Sequence, residues 1–471
     1  MSAKKSDRRQ FLRNSAALAT FAAGAAAVRS AGTQALPPAS NGGRAAAYIG
    51  CEGNGCATAS GQSLQDVIAQ AAAKTYEGTP GPGPGQHLDP IYGVRSRYET
   101  AGRIGGIGAF HHGPNGKFSR PFLGALTPIQ DVFGIITPAA LHFYESHGYI
   151  PPDIDPKQHR LLIHGMVDRN MIFTLDELKR LPAVTRTHFI ECAANGDSTR
   201  LGKEPEATPQ MTHGYISCSM WTGVQLSRVL DMVGVQKGAS WILAESAEGS
   251  RFSKGIPMEK AMDDCLLAYG QNGEAVRPEQ GYPLRLISPG YEGIYNVKWL
   301  SRIELADSPA ITQRELYYFT SVEEGKYADH KTRWFRFEMG ANSVITRPAG
   351  GQRLESHGFY EITGLAWSGA GAIRRVEVST DNGRTWKDAE LQEPVLPKAH
   401  TRFGFAWNWG GEECVLMSRS TDERGQVQPS LGELGKIWDV DANYLHTHWL
   451  GHVNAIRPWK VTADGSVYNA I

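Results

Sequence analysis

The chain has no excess charge of either sign. Its 48 Lys and Arg balance 48 Asp and Glu, so no global field draws it onto nucleic acid or an anionic membrane, and its partners must be recognised at local sites. Cysteine is scarce. Six Cys are scattered over 471 residues, too few for a disulfide scaffold, and no CxxCH, paired CxxC or HExxH occurs, so attached c-type haem and the common zinc sites are not expected. Long hydrophobic runs are missing as well. The Ala-rich stretch from Ser15 to Val28 covers about 14 residues, short of the roughly 20 that cross a bilayer as a helix.

That stretch follows Ser6-Asp7-Arg8-Arg9-Gln10-Phe11-Leu12 and is bounded by Arg13 and Arg29. The order reads as a twin-arginine export signal over residues 1–35, with cleavage expected between Ala31 and Ala47 and no membrane anchor after it. This route carries folded proteins, commonly with a cofactor already inserted, and predicts a periplasmic protein.

Glycine (53) and proline (26) are plentiful, which points to a turn-rich, strand-rich globular chain of two to four domains. Residues 36–125 read as an irregular Gly/Pro-rich arm with one helix over residues 63–74. Cys51 and Cys56 there form either a small disulfide or a free pair. From residue 126 short apolar runs alternate with turns. Leu161 to Val167, Thr187 to Glu191, Trp241 to Glu245 and Leu284 to Ile287 fit strands, while Thr174 to Arg180 and Ser227 to Val233 fit helices, the first capped by Thr174. The spacing is too irregular for a doubly wound sheet, so an α+β domain over residues 126–322 is expected. Beyond about residue 325 helical periodicity vanishes. The hairpin signal around Thr380-Asp381-Asn382-Gly383 and the alternating Phe403, Phe405, Trp407 and Trp409 predict an immunoglobulin-like β-sandwich over residues 323–471.

Two constellations carry chemistry. Cys192 ends an apolar strand and is followed by Ala193-Ala194-Asn195-Gly196, which leaves room for a bulky group. It is either a buried structural thiol or a soft ligand suited to a metal. Arg285 and Lys298, on either side of the turn Ser288-Pro289-Gly290, are either a solvated pair or a cradle for phosphate.

The segments Phe189-Ile190-Glu191-Cys192-Ala193-Ala194-Asn195-Gly196, Trp221-Thr222-Gly223-Val224-Gln225-Leu226, Leu266-Leu267-Ala268-Tyr269-Gly270-Gln271-Asn272-Gly273, Gly281-Tyr282-Pro283-Leu284-Arg285 and Val297-Lys298-Trp299-Leu300 stand in an order that resembles the sulfite oxidase family of molybdopterin enzymes. The resemblance runs from about residue 127 to the C-terminus. Thr127-Pro128-Ile129-Gln130-Asp131, Gly134-Ile135-Ile136-Thr137-Pro138 and Ile362-Thr363-Gly364-Leu365-Ala366-Trp367-Ser368-Gly369 are similar, within that family, to the SoxC-type sulfane dehydrogenase, the molybdenum subunit of the sulfur-oxidising (Sox) system.

The resemblance implies a molybdenum–molybdopterin cofactor, one Mo per chain, with Cys192 as the protein thiolate on the metal. It implies that Arg285 and Lys298 hold the pterin phosphate and that Phe143 and His147, in Phe143-Tyr144-Glu145-Ser146-His147, contact the pterin. This sequence departs from the family's pattern in its anion pocket. Glu145 stands where an arginine is expected. Ala372 fills a second arginine position, with Arg374 two residues on as the substitute. Phe252 replaces a tyrosine near the metal, with Tyr291 and Tyr295 as alternatives, and Asp197 and Gln280 replace basic residues, with Arg200 a substitute for the first. The expected activity is oxidation of reduced sulfur in thiosulfate oxidation. Its substrate is a sulfane on a sulfur-carrier protein or a small sulfur anion, and electrons pass to a separate c-type cytochrome. The assembly is a homodimer or heterotetramer. The alternatives are a sulfite dehydrogenase, a reductase of the same fold, or a cofactor-free periplasmic binding protein.

Overall fold

The computed structural model describes residues 96, 98–107, 123–146, 151–196, 204–249, 251–312, 320–321, 334–438, 440–441 and 452–470. The expected signal peptide, the helix over residues 63–74, Cys51, Cys56, His147, Asp197 and Arg200 lie outside them. Everything below concerns the unit from Ala101 to Ile471.

In chain order its first part carries β1 (Ile104–Ile107), β2 (Leu123–Leu126), β3 (Tyr144–Glu145), β4 (Leu161–Gly165), β5 (Met171–Phe173), α1 (Leu175–Lys179), β6 (Val184–Glu191), α2 (Pro209–His213), β7 (Ile216–Gln225), α3 (Leu226–Val233), β8 (Trp241–Ser246), β9 (Ser253–Pro257), α4 (Met258–Asp263), β10 (Leu266–Gln271), β11 (Glu274–Ala275), β12 (Arg285–Ile287) and β13 (Leu300–Ala306). Three sheets result. One is β1-β2-β3, one is β11-β10-β7-β6 with β12 added on β10, and one is β5-β4-β13-β8-β9. In the last, β4 and β13 run parallel and the other pairs antiparallel.

Local chemistry explains the helices between them. Thr174 Oγ1 accepts the Glu177 N–H, and the Glu177 carboxylate accepts the Thr174 N–H at 2.8 Å, a reciprocal cap that starts α1. Leu226, Val229, Leu230 and Val233 recur at one-face spacing in α3 and are fully buried, the apolar stripe that docks a helix on a sheet.

Two expectations about the chain's organisation need correction. The arm is not irregular throughout, since β1 pairs with β2, and β2 with β3. Glycine-rich chain still donates and accepts along its backbone, and Gly106 opposite Gly124 lets two strands meet without side chains. The second half is not without helix either, because Leu431–Trp438 is helical. Ser430 and Glu433 form the same reciprocal cap as Thr174 and Glu177, enough to start one short helix where no longer periodicity exists.

That half comprises β14 (Thr320–Ser321), β15 (Trp334–Phe335), β16 (Asn342–Arg347), β17 (Gly358–Trp367), β18 (Ile373–Ser379), β19 (Lys387–Asp388), β20 (Glu390–Gln392), β21 (Thr401–Trp409), β22 (Cys414–Asp422), α5 (Leu431–Trp438), β23 (Trp459–Val461) and β24 (Val467–Asn469). Sheets β16-β17-β21-β20 and β19-β18-β22-β23-β24 face each other as an immunoglobulin-like sandwich. Phe403, Trp407 and Trp409 are buried in it and Phe405 half-buried, as the alternation requires. The hairpin turn is longer than expected, and pairing resumes at Lys387.

The C-terminal end of β6 joins the two halves. Phe189 lies in the core of the sandwich, alongside Trp367 and Phe403, while Ile190 lies in the core formed with Phe143 and Trp221. A strand covered on both faces loses its polar alternation. Side chains two apart share a face, so Cys192 follows Ile190 and Glu191 faces the sandwich. Among the described residues, no helix is long and apolar enough to cross a membrane.

Candidate active site

Cys192 opens onto a cleft. Its lining includes Phe143, Glu145, Glu248, Phe252, Arg285 and Lys298. Of the candidates named from the sequence, the fold therefore brings Cys192, Glu145, Phe143, Phe252, Arg285 and Lys298 to one place.

The Cys192 loop is fixed by its neighbours. The Cys192 N–H donates to Tyr215 O, the Asn195 N–H to Cys192 O and the Gly196 N–H to Thr212 O, all at 2.9 Å. Gly196 has φ +73°, and a Cβ there would lie 2.5 Å from Val453 O, so only glycine fits the turn. Glu191 points the other way. Its carboxylate accepts from Asn195 Nδ2 at 2.8 Å and from Trp367 Nε1 of the sandwich at 2.8 Å. Burial pushes its pKa up to about 7 against those two donors. The Sγ of Cys192 is half-buried and donates to Glu145 Oε2 at 3.0 Å.

The two cations are held by neutral groups. Lys298 Nζ donates to Glu145 O at 2.6 Å and Glu279 O at 3.1 Å. Arg285 Nη1 donates to Gln280 O at 3.1 Å and Gln280 Oε1 at 2.9 Å, and its guanidinium lies 5.3 Å from the Trp221 ring centre. Gln280, a residue read as a loss from the phosphate site, thus braces Arg285, and its Nε2 also donates to Phe143 O at 2.8 Å. Burial, with Arg285 next, lowers the Lys298 pKa to about 7, and burial lowers that of Arg285 to about 9. His142 lies behind them fully buried, and burial with the nearby cations lowers it to about 3.

Among the described residues neither Lys298 nor Arg285 makes an ion pair, and Arg285 Nε is buried without a partner. Two desolvated cations hydrogen-bonded only to neutral groups, with Glu145, Glu279 and Glu248 acting on Lys298 from further off, are surroundings an anionic phosphate can use. Among the described residues no three His, Cys, Asp or Glu gather as a metal cage. A soft metal at Cys192 would bring most of its own ligands, as one held by a dithiolene does.

The other candidates sit elsewhere. Arg374 is exposed on β18 and does not line the cleft. The register shifts between Ile373 and Arg375, and this bulge turns Arg374 and Arg375 outward together, which breaks the two-residue count from Ala372. Tyr291 and Tyr295 pack on Phe337 rather than lining the cleft, so of these three rings Phe252 is the one that lines it, alongside Phe143, Tyr144 and Trp299. Arg103 was missed in the sequence. It comes from the arm, and its Nη1 lies 3.4 Å from Glu279 Oε1.

Comparisons with known proteins agree with this chemistry. The oxidoreductase molybdopterin binding domain matches residues 147–313 and the Mo-co oxidoreductase dimerisation domain residues 333–454. The crystal structure of the sulfane dehydrogenase SoxCD from Paracoccus pantotrophus is similar at 36% identity and TM-score 0.74, over 82% of this chain and 95% of that one. Nitrate reductases are also similar. Those of Volvox carteri and Hordeum vulgare are 31% and 30% identical over 348 and 370 residues, or 64% and 69% of this chain. This chain spans about two fifths of their length, 39% and 40%. With the thiol on its strand end, the buried cations of the cleft and the sandwich behind them, the chain belongs to the sulfite oxidase family of molybdopterin oxidoreductases and is SoxC-like within it.

Proposed function

We propose that this protein oxidises reduced sulfur delivered on a carrier protein in the periplasm, within thiosulfate oxidation, and passes the electrons to a separate c-type cytochrome. The observation that carries the reading is the Glu145 carboxylate 3.0 Å from Cys192 Sγ, where the family pattern has an anion-binding arginine. When bound, the molybdenum cofactor supplies an oxygen atom and takes up the electrons of the substrate. The residues of the chain set what can approach. Cys192 must give up its proton to become a metal ligand, and the Glu145 carboxylate lines the cleft beside it. A like charge about 4 Å away costs about 4 kcal/mol at an effective dielectric near 20, so sulfite and nitrate are both opposed. A sulfane at the end of a peptide arm brings less charge and offers backbone N–H groups that a carboxylate accepts.

The Arg8-Arg9 pair before an Ala-rich stretch supports export. The dimerisation domain over residues 333–454 supports a homodimer, or a heterotetramer with two cytochrome subunits. The test is turnover of the purified holoprotein with ferricytochrome c, comparing free sulfite with a carrier protein bearing a cysteine persulfide. Nitrate is assayed separately with a reduced dye. Turnover of the carrier alone is expected. Efficient turnover of sulfite or nitrate, with none on the carrier, overturns the reading.

A further inference from the structure

The strand β1 precedes residues 147–313, the span of the molybdopterin-binding match. We propose that Arg103, at its start, is a positioning residue for the cofactor, locking the arm to the two segments that aim Lys298 and Arg285. The inference rests on the family's cofactor and is independent of which sulfur compound is oxidised.

Arg103 spans those segments. Its Nη1 donates to His142 O at 3.2 Å and to Glu279 Oε1 at 3.4 Å, and its guanidinium lies 5.1 Å from the Tyr144 ring centre. The side chain is 8% exposed and that of Glu279 16%, so this pair is shielded from the solvent screening that makes surface pairs worth little. Each segment continues into the cleft within one residue. Tyr144 precedes Glu145, whose carbonyl accepts from Lys298, and Glu279 itself supplies the second carbonyl to Lys298. Gln280, next in the chain, orients Arg285 and is tied to Phe143 O. Both acceptors of Lys298 thus come from backbone that Arg103 holds together.

The arm is fixed on its other side as well. Ile104 pairs with Leu126, and Ala125 with Tyr144, while Gln210 Nε2 donates to Gly102 O and Leu126 O, both at 2.9 Å. The guanidinium therefore has little freedom to leave. Its charge is felt at His142, where Arg285, Arg103 and Lys298 all add to the effect of burial. A third cation placed near two others is unfavourable in the empty cleft and favourable once an anion is bound.

The test uses the full chain with Arg103→Gln and, separately, Glu279→Gln, which removes the pair but keeps the carbonyl that Lys298 uses. Two quantities are read: molybdenum and pterin per purified chain, and the melting temperature of each protein made in a host that lacks molybdopterin. Both variants are expected to hold about fivefold to tenfold less cofactor, the scale of one lost charge-assisted bond. The cofactor-free melting temperature is expected to stay near the parent's in Arg103→Gln, where the lost pair is offset by one fewer cation near Lys298 and Arg285. It is expected to fall in Glu279→Gln, which takes that carboxylate from a buried guanidinium. Arg103→Lys is expected to recover part of the occupancy, because it keeps the charge and loses the fork. Full occupancy in Arg103→Gln overturns the proposal. So does a loss of occupancy in that variant matched by a fall in its cofactor-free melting temperature, which marks a purely structural role.

Discussion

The cleft beside Cys192 and the Glu377 and Asp422 sites of the sandwich treat buried charge in opposite ways. In the sandwich, Glu377 is 6% exposed and receives Arg419 through two bonds of 2.7 and 3.1 Å. Asp422 is fully buried and accepts from Ser368 Oγ at 2.8 Å and from the N–H groups of Arg424 and Gln426 at 3.0 and 2.9 Å. In the molybdopterin-binding half, Arg285 and Lys298 are buried against carbonyls and an amide, and among the described residues both carboxylate oxygens of Glu292 lack a hydrogen-bond partner, although Arg336 and Lys254 act on it. A protein that needed only to fold would gain by replacing such groups with apolar ones. Among the described residues, cations held by neutral groups in the cleft and carboxylates fully met at Glu377 and Asp422 separate a site suited to an ionic ligand from sites that only support the fold.

The largest effect is expected at Cys192, the thiol proposed to bind the metal. Cys192→Ser keeps the loop bonds, which use the backbone and Asn195, so the variant should fold with an unchanged melting temperature while turnover falls to background. Full activity in that variant would remove Cys192 from the metal. Next come the cations. Lys298→Met and Arg285→Met should each lower pterin content by about tenfold to a hundredfold, one or two charge-assisted bonds to a phosphate. The cofactor-free proteins should be as stable as the parent or more so, because a desolvated charge has gone. A large loss of cofactor-free stability would erase the contrast between the cleft and those sites.

Glu377→Gln makes the converse case. Removing the partner of Arg419 should cost about 1 to 3 kcal/mol, read from denaturant midpoints, while turnover per bound cofactor stays at the parental value. A selective loss of turnover would mean that the sandwich is more than a support.

What was legible in the sequence follows from the range of each interaction. Cys192 could be found because its strand, turn and small residues are contiguous, and the cap at Thr174 and Glu177 is three residues long. The Ser430 and Glu433 cap was equally local and was passed over for want of a long helical period. Arg103 left no local trace, since its partners lie 39 and 176 residues away. Arg374 was misplaced for a different reason: alternation assumes regular pairing, and one bulge reverses every face beyond it. The motif order placed Glu145 in the pocket, but its bond to Cys192 joins residues 47 apart and needed the fold.

The smallest effect is the most direct measure of desolvation. Burial and Arg285 lower the Lys298 pKa from 10.5 to about 7. Below that value folded and unfolded chains both carry the proton and the penalty stands in full. Between about 7 and 10.5 the unfolded chain is protonated where the folded one is not, so the stability of the cofactor-free protein rises with pH across the window. Arg285, lowered from 12.5 to about 9, adds its own rise only above pH 9, which leaves pH 7 to 9 to Lys298. An anion in the cleft favours the ammonium form, so cofactor binding takes up a proton there and weakens as pH rises. The melting temperature of the cofactor-free chain should therefore climb from pH 7 to 9 in the parent, and this component of the slope should vanish in Lys298→Met. Equal slopes in the two proteins would mean that water reaches the ammonium, and the cleft would then have no more claim on an anion than an exposed lysine.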